Sequence, residues 1–341
     1  MPIAPRVRVF GALIGVFGAA LVACGESPAP QPTPATPGSS SAAFPVTIAH
    51  RFGSTTILGP PKRVVTIGDE DIAYALGVTP VGIIRDATTP SGVSARLKGL
   101  VDLSKTTLLD VPPGAEGVGA AGVNIEQVAA LKPDLILAIN DFGLEQDYAK
   151  LSQLAPTVGF ATVWGAQSWQ EQTLVGAKAL GLAERGRQEV AKTEAAIRAA
   201  RAANPGLTGK SVTFSFAFAP GQIVTLKSDQ DPAVKLLEEL GMQIPQSVRQ
   251  LPDIAPGNPG GALSFENISL LDADIVVMGY ATDELRKQVE ALELFRKLRG
   301  VRDGRYFVMD LPTISSLRAP TVLSIRWGLE QIRSELEKVA R

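Results

Sequence analysis

The chain has 341 residues, 45% of them apolar and 20% charged, with 33 Lys and Arg against 34 Asp and Glu. That composition fits a globular body of one large or two ordinary domains, and the lack of a basic tract excludes nucleic acid as a natural partner. One cysteine and one histidine exclude a disulfide within the molecule and leave almost nothing for a zinc or copper site.

At the N-terminus, Arg6 and Arg8 precede an apolar run that starts near Val9 and closes with Leu21-Val22-Ala23-Cys24. A basic start, an apolar core of about 14 residues and small residues before a cut describe a secretory signal over 1–23. The run falls short of the roughly 20 apolar residues that span a bilayer. Leu-Val-Ala-Cys resembles a bacterial lipobox, in which cleavage precedes the cysteine and lipid joins its sulfur, so Cys24 is the expected lipidation site. Prolines at 28, 30, 32, 34 and 37 make 24–43 an extended tether with little to bury. Without Arg6 and Arg8, the mature balance is 31 basic against 34 acidic residues, a net −3.

Past the tether, β-branched runs alternate with helical patterns. Val64–Ile67 reads as a buried strand, 70–76 as a helix stopped by Gly77, and 80–84 as a second strand. A Gly- and Pro-bearing loop covers 111–122. Asn124 caps a short helix over 125–131, and 135–139 is a third strand. Helix 148–154 and strand 157–160 follow. This is α/β alternation with a largely parallel sheet. From 167 to 203 the pattern is helical, with a pause at Gly181, and Asn204-Pro205-Gly206 ends it. Strands then fall at 212–216 and 221–225, a helix at 232–240, a Ser264-capped helix at 266–271, strands at 274–278 and 305–309, and a closing amphipathic helix over 321–340. The segments 124–137 and 264–276 echo each other: a cap, a Glu in the first turn, an Asp, then a buried strand. His50 is expected at the surface, and Trp169 and Trp327 in the core.

This arrangement resembles the solute-binding proteins of iron–siderophore and vitamin B12 ABC importers. The resemblance is carried by 61–65, 75–82, 124–137, 270–277 and 301–307, with Asn124-Ile125-Glu126-Gln127-Val128 through Leu137 the most specific stretch. It implies an α/β fold of two Rossmann-like lobes, 44–166 and 204–341, joined by one long helix over 167–203, with ligand in the cleft between them. It also implies a monomer on the extracytoplasmic face, which in a Gram-positive or actinobacterial cell is lipid-anchored. Glu126 and Glu266 match the acidic residue that each lobe of the family offers to arginines of the importer's membrane subunits, and Glu145 is a third docking candidate. Their local role is favourable charge at a helix start.

Ligand residues in α/β folds lie in loops at the carboxyl ends of strands. Arg85, Asp141, Phe142, Trp164, Tyr280 and Arg318 fall there, and Arg249 lies in a Pro/Gly-rich stretch near it. Arginine suits the carboxylates and catecholates of a ferric siderophore, and aromatics suit its apolar faces. The same residues packed within a lobe or solvated would carry no ligand. Haem or a corrinoid is the alternative on the same fold, with Tyr280 as the available phenol. A lipid-anchored cell-surface enzyme is the alternative of another class, but no catalytic constellation, resident cofactor or metal set is visible in the sequence.

Overall fold

Uncharged aliphatic runs seed two sheets, and the charged residues that bound them set where each sheet begins. The structure, a computed structural model, describes residues 44–112, 122–255 and 258–341. The expected signal over 1–23, Cys24 and the tether over 24–43 lie outside the described residues, as does most of the loop at 111–122. Among the described residues no helix is long and apolar enough to cross a membrane.

The first lobe opens with a hairpin, β1 (Val46–His50) and β2 (Gly53–Ile57). Then come β3 (Val64–Thr66), α1 (Glu70–Ala75), β4 (Gly82–Ile84), β5 (Thr107–Leu109), α2 (Ile125–Ala130), β6 (Leu135–Ala138), α3 (Leu144–Leu154) and β7 (Thr157–Gly159). Strands β3 to β7 form an all-parallel sheet in the order β5-β4-β3-β6-β7. All four residues of β6 are inaccessible to solvent, as a strand covered on both faces requires. The order reverses between β3 and β6, which opens a crevice at their carboxyl ends.

Helices α4 (Trp169–Ala179) and α5 (Ala183–Ala203) replace the single long helix expected over 167–203. Ser168 and Glu171 cap α4 reciprocally. Gly181, at φ +72°, ends it in a left-handed residue, and a Cβ there would strike the Phe44 ring. The break is a reversal and not a kink, because a Cβ on Gly186 of α5 would lie against Ala177 of α4. Ala177 and Ala179 join the first lobe's core, whereas Val190 and Ile197 of α5 join the second lobe's.

The second lobe contains β8 (Val212–Ala219), β9 (Gln222–Thr225), α6 (Pro232–Glu239), α7 (Gln246–Arg249), β10 (Asp253–Ala255) and β11 (Asn258–Ser264). It continues with β12 (Ile275–Tyr280), α8 (Asp283–Ala291), α9 (Glu293–Lys297), α10 (Arg299–Arg302), β13 (Tyr306–Val308), α11 (Leu311–Arg318), α12 (Ser324–Gln331) and α13 (Arg333–Val339). Its sheet runs β10-β11-β9-β8-β12-β13. Only β8, β12 and β13 are parallel, and the β8–β9 hairpin turns the other half antiparallel. The sheet is therefore mixed. The closing helix expected over 321–340 is also two, broken at Ile332.

The sequence echo has a structural counterpart. Asp134, before β6, accepts hydrogen bonds from the Lys62 and Arg63 amides at 2.8 Å and so ties the start of β3 to β6. Asp274, before β12, accepts from the Ser211 amide at 2.9 Å and hydroxyl at 2.7 Å, tying β8 to β12. The same carboxylate position sets register in both lobes.

Candidate functional site

The carboxyl ends of β3 and β6 meet through Asp69. One of its oxygens accepts the Ile139 amide at 2.5 Å, and the other is buried with no partner among the described residues. Gly68, at φ +82°, permits this closeness: a Cβ there would sit 3.0 Å from the Asn140 carbonyl. Beside it, Arg96 donates to both oxygens of Asp71, at 2.9 and 2.8 Å, and reaches Glu70 at 3.5 Å. The Thr321 hydroxyl, from the second lobe, donates to Asp71 Oδ2, which also accepts from Arg96. Thr321 and Ser324 cap each other's amides at 2.8 and 3.0 Å. The rims of the two sheets are joined by this buried polar contact.

Burial dominates the chemistry here. It pushes the Asp69 carboxyl well above the usual range. It lifts Glu70 to about 7, with Arg96 opposing and Asp71 reinforcing the rise. Asp141 is lifted to about 6 by burial, against the Gly143 amide that it accepts at 2.8 Å. Sequence reasoning points to none of these residues except Asp141. The Gly68-Asp69-Glu70-Asp71 break after a buried strand is the signal that could find the others.

Of the expected ligand residues, Phe142 and Trp164 come together, edge to face with centroids 5.0 Å apart. They are 60% and 46% exposed, a large aromatic surface left open to water. The Trp164 indole donates to the Asn140 carbonyl at 3.0 Å, which fixes the ring beside the crevice. Arg85 is exposed after β4 and bonded to Asp110 at 2.6 Å, and Gln127 holds that carboxylate from the other side at 2.8 Å. Asp141 is 5% exposed: one oxygen closes its own turn on Gly143, and the other is buried without a partner among the described residues.

In the second lobe, Arg318 ends α11 and edges a shallow depression lined by Phe214, Phe216, Ile254 and Ile314. Gly279 on β12 lets α11 approach, since a Cβ there would collide with Ile314. Phe218, further along β8, is 44% exposed. A second, narrow gap is lined wholly by core side chains such as Val212, Phe214 and Leu336, with no polar group to orient a ligand.

Two ligand candidates are engaged within their own lobe, and one burial expectation is corrected. The Tyr280 hydroxyl meets that of Tyr306 at 3.0 Å, and Tyr306 donates to Glu290 on α8 at 2.7 Å. Burial accordingly raises the Tyr280 phenol to about 12. Arg249 is held within its lobe by Asp229, by Glu238 at 3.3 Å and by the Ile244 carbonyl at 3.2 Å. His50 is buried at 7% and bonded to Thr55 at 2.8 Å, because the β1–β2 hairpin turns it inward against Tyr148. Trp169 is buried as expected, while Trp327 is only partly covered.

The docking candidates differ from one another. Glu126 is exposed in the first turn of α2, which Asn124 caps by accepting the Gln127 amide at 3.1 Å. Glu266 is exposed in a 3₁₀ turn over 265–271 that Ser264 does not cap. Glu145, in the first turn of α3, pairs with Arg51 at 3.2 Å.

Comparison with known proteins places this architecture. The family described as periplasmic binding protein matches residues 69–312. A probable siderophore-binding lipoprotein of Bacillus subtilis, YfiY, is 27% identical over 276 residues, 77% of this chain and 80% of its own length. The Fe(3+)-citrate-binding protein YfmC of the same organism is 24% identical, covering 78% of each chain. Among solved structures, Streptococcus pneumoniae PiaA in complex with ferrichrome aligns with a TM-score of 0.70 at 25% identity, over 86% of this chain and 98% of that one.

Proposed function

The chain belongs to the periplasmic binding protein family, and from that premise we propose that it captures a ferric siderophore in the interlobe cleft and delivers it to an ABC importer. One observation supports the reading most: Phe142 and Trp164 in the first lobe and Phe218 in the second leave aromatic surface open to water, and Arg318 edges a depression beside Phe216. Such a lining covers the apolar faces of a metal chelate and donates to its ligating oxygens. The function is binding and release, without covalent chemistry. Haem is the weaker reading, because His50 is buried on Thr55 and the Tyr280 phenol is bonded to Tyr306.

A titration of the mature protein with ferric siderophores, haem and cobalamin, read by tryptophan fluorescence, tests this. Saturable quenching by a ferric siderophore is expected, with most of the signal lost in Trp164→Phe at unchanged circular dichroism. Saturation by haem or cobalamin alone would overturn the assignment.

Lipidation of Cys24 supplies the extracytoplasmic anchor in this reading, with 24–43 as the spacer. Cys24→Ser is expected to move the protein from the membrane fraction to the medium or to leave an uncleaved precursor. A processed, membrane-bound variant would remove the anchor from the proposal.

A further inference from the structure

We infer that the cleft selects ferric complexes of zero or positive charge, the hydroxamate class, and discriminates against polyanionic catecholate and citrate complexes. The inference rests on the reading of the cleft as a ferric siderophore site and adds the charge of the ligand to it.

It follows from where the cations on the cleft-side elements are spent. Arg85 is bonded to Asp110 at 2.6 Å. Arg96 is held by Asp71 at 2.8 Å and Glu70 at 3.5 Å. Lys227, beyond β9, is held by Asp253 and by the Leu251 carbonyl at 2.7 Å. Arg286, beyond β12, is bonded to Glu290 at 2.8 Å. Arg318 is the one arginine of this set with no ion pair among the described residues, and its charge, with that of Lys235, is felt by Asp231.

The acidic side is in excess. Asp69, Glu70, Asp71 and Asp141 are buried at the β3–β6 crevice, and among the described residues Arg96 is the only guanidinium bonded to them. Burial lifts Asp69, Glu70 and Asp141 and so leaves part of the group neutral at acidic pH, but Asp71 retains its charge-assisted bonds to Arg96. A polyanion entering the cleft meets one unpaired guanidinium and a field of the wrong sign. Three singly ionised hydroxamates cancel the charge of ferric iron. Their carbonyl and N–O oxygens still accept from one planar guanidinium, and their backbones present apolar surface to Phe142, Trp164 and Phe216. Three doubly ionised catecholates leave a trianion that needs several arginines.

The test uses the mature wild-type protein with ferrichrome (neutral), ferrioxamine B (cationic), ferric enterobactin (trianionic) and ferric citrate, at low and high salt. The neutral and cationic hydroxamates are expected to bind at least about 100-fold more tightly than the trianion, with the gap narrowing as salt screens the repulsion. Asp110→Asn frees Arg85 and is expected to improve trianion binding about tenfold, the effect of one added charge contact, while leaving ferrichrome nearly unchanged. Arg318→Met is expected to weaken ferrichrome about tenfold. Equal or tighter binding of ferric enterobactin or ferric citrate would overturn the charge assignment and leave the siderophore reading standing. Binding of none of the four would overturn both.

Discussion

Glu70 shows how a single buried carboxyl couples this cleft to pH. Its surroundings lift it to about 7, chiefly by burial, with Arg96 opposing and Asp71 and Asp86 adding to the lift. A carboxyl raised in the folded state binds its proton more readily folded than unfolded. Between its ordinary range and about pH 7 the folded chain therefore holds the extra proton, and stability falls as pH rises through that window. Asp141 and Asp69 act in the same direction. Asp86 works oppositely: burial raises it, but bonds from Ser94 and Thr88 prevail and hold it below its usual value. Its contribution is present at neutral pH and is lost as pH falls through the acid range. Glu70→Gln keeps the shape and a contact to Arg96. It is expected to raise stability at pH 8 by on the order of 1–3 kcal/mol, since each pH unit by which a carboxyl is raised corresponds to about 1.4 kcal/mol. At pH 4.5 it is expected to change little. Thermal unfolding from pH 4.5 to 8 checks this, and a wild-type curve as flat as the variant's would count against the buried, raised carboxyl.

At the scale of elements, the strands most legible in the sequence are those where chemistry and burial agree. Leu135–Ala138 and Ile275–Met278 are uncharged, aliphatic and bounded by aspartate, and they are central strands. The β1–β2 hairpin is hidden although its burial alternates with period two, because Thr, Ser, His and Arg dilute the apolar face. Helix α11 carries a readable start, Asp310 with proline two residues on, but its short length conceals it among loop residues. The reversal between α4 and α5 reads as a pause because Gly181 permits either geometry. What decides is the packing of Gly186 on Ala177, a tertiary fact. The break at Ile332 has no glycine or proline to announce it. Site residues follow the same logic. Loops after strands hold Phe142 and Trp164, and α11 ends on Arg318, but strand position alone does not tell that Tyr280 turns toward α8 or that Asp141 closes its own turn.

At the scale of the molecule, two similar lobes present one acidic side chain each without using it internally. Glu126 and Glu266 are exposed, and neither makes an ion pair among the described residues, whereas Glu145 is engaged with Arg51. Both fall in the first turn of equivalent segments, before Asp134 and Asp274, the carboxylates that set register in each lobe. The Asp71–Thr321 hydrogen bond ties the lobes together, and the Thr193 hydroxyl of the joining helix α5 donates to the Val322 carbonyl at 3.0 Å within the second lobe's core. Under the proposed delivery to an importer, lobes tied in this way would present these two outer carboxylates together. Removing them is expected to cost the fold only about 0.5–1 kcal/mol each, the worth of charge at a helix start. Deleting a charge-assisted pair at a desolvated docking interface costs on the order of 2–5 kcal/mol. The double variant Glu126→Ala, Glu266→Ala is therefore expected to bind ferric siderophore within a few-fold of the parent while uptake by cells collapses. Glu145→Ala is expected to lower uptake less, since its partner Arg51 already competes for it. Normal uptake by a stably folded double variant would refute the docking role. Abolished binding at intact circular dichroism would instead place these carboxylates at the ligand.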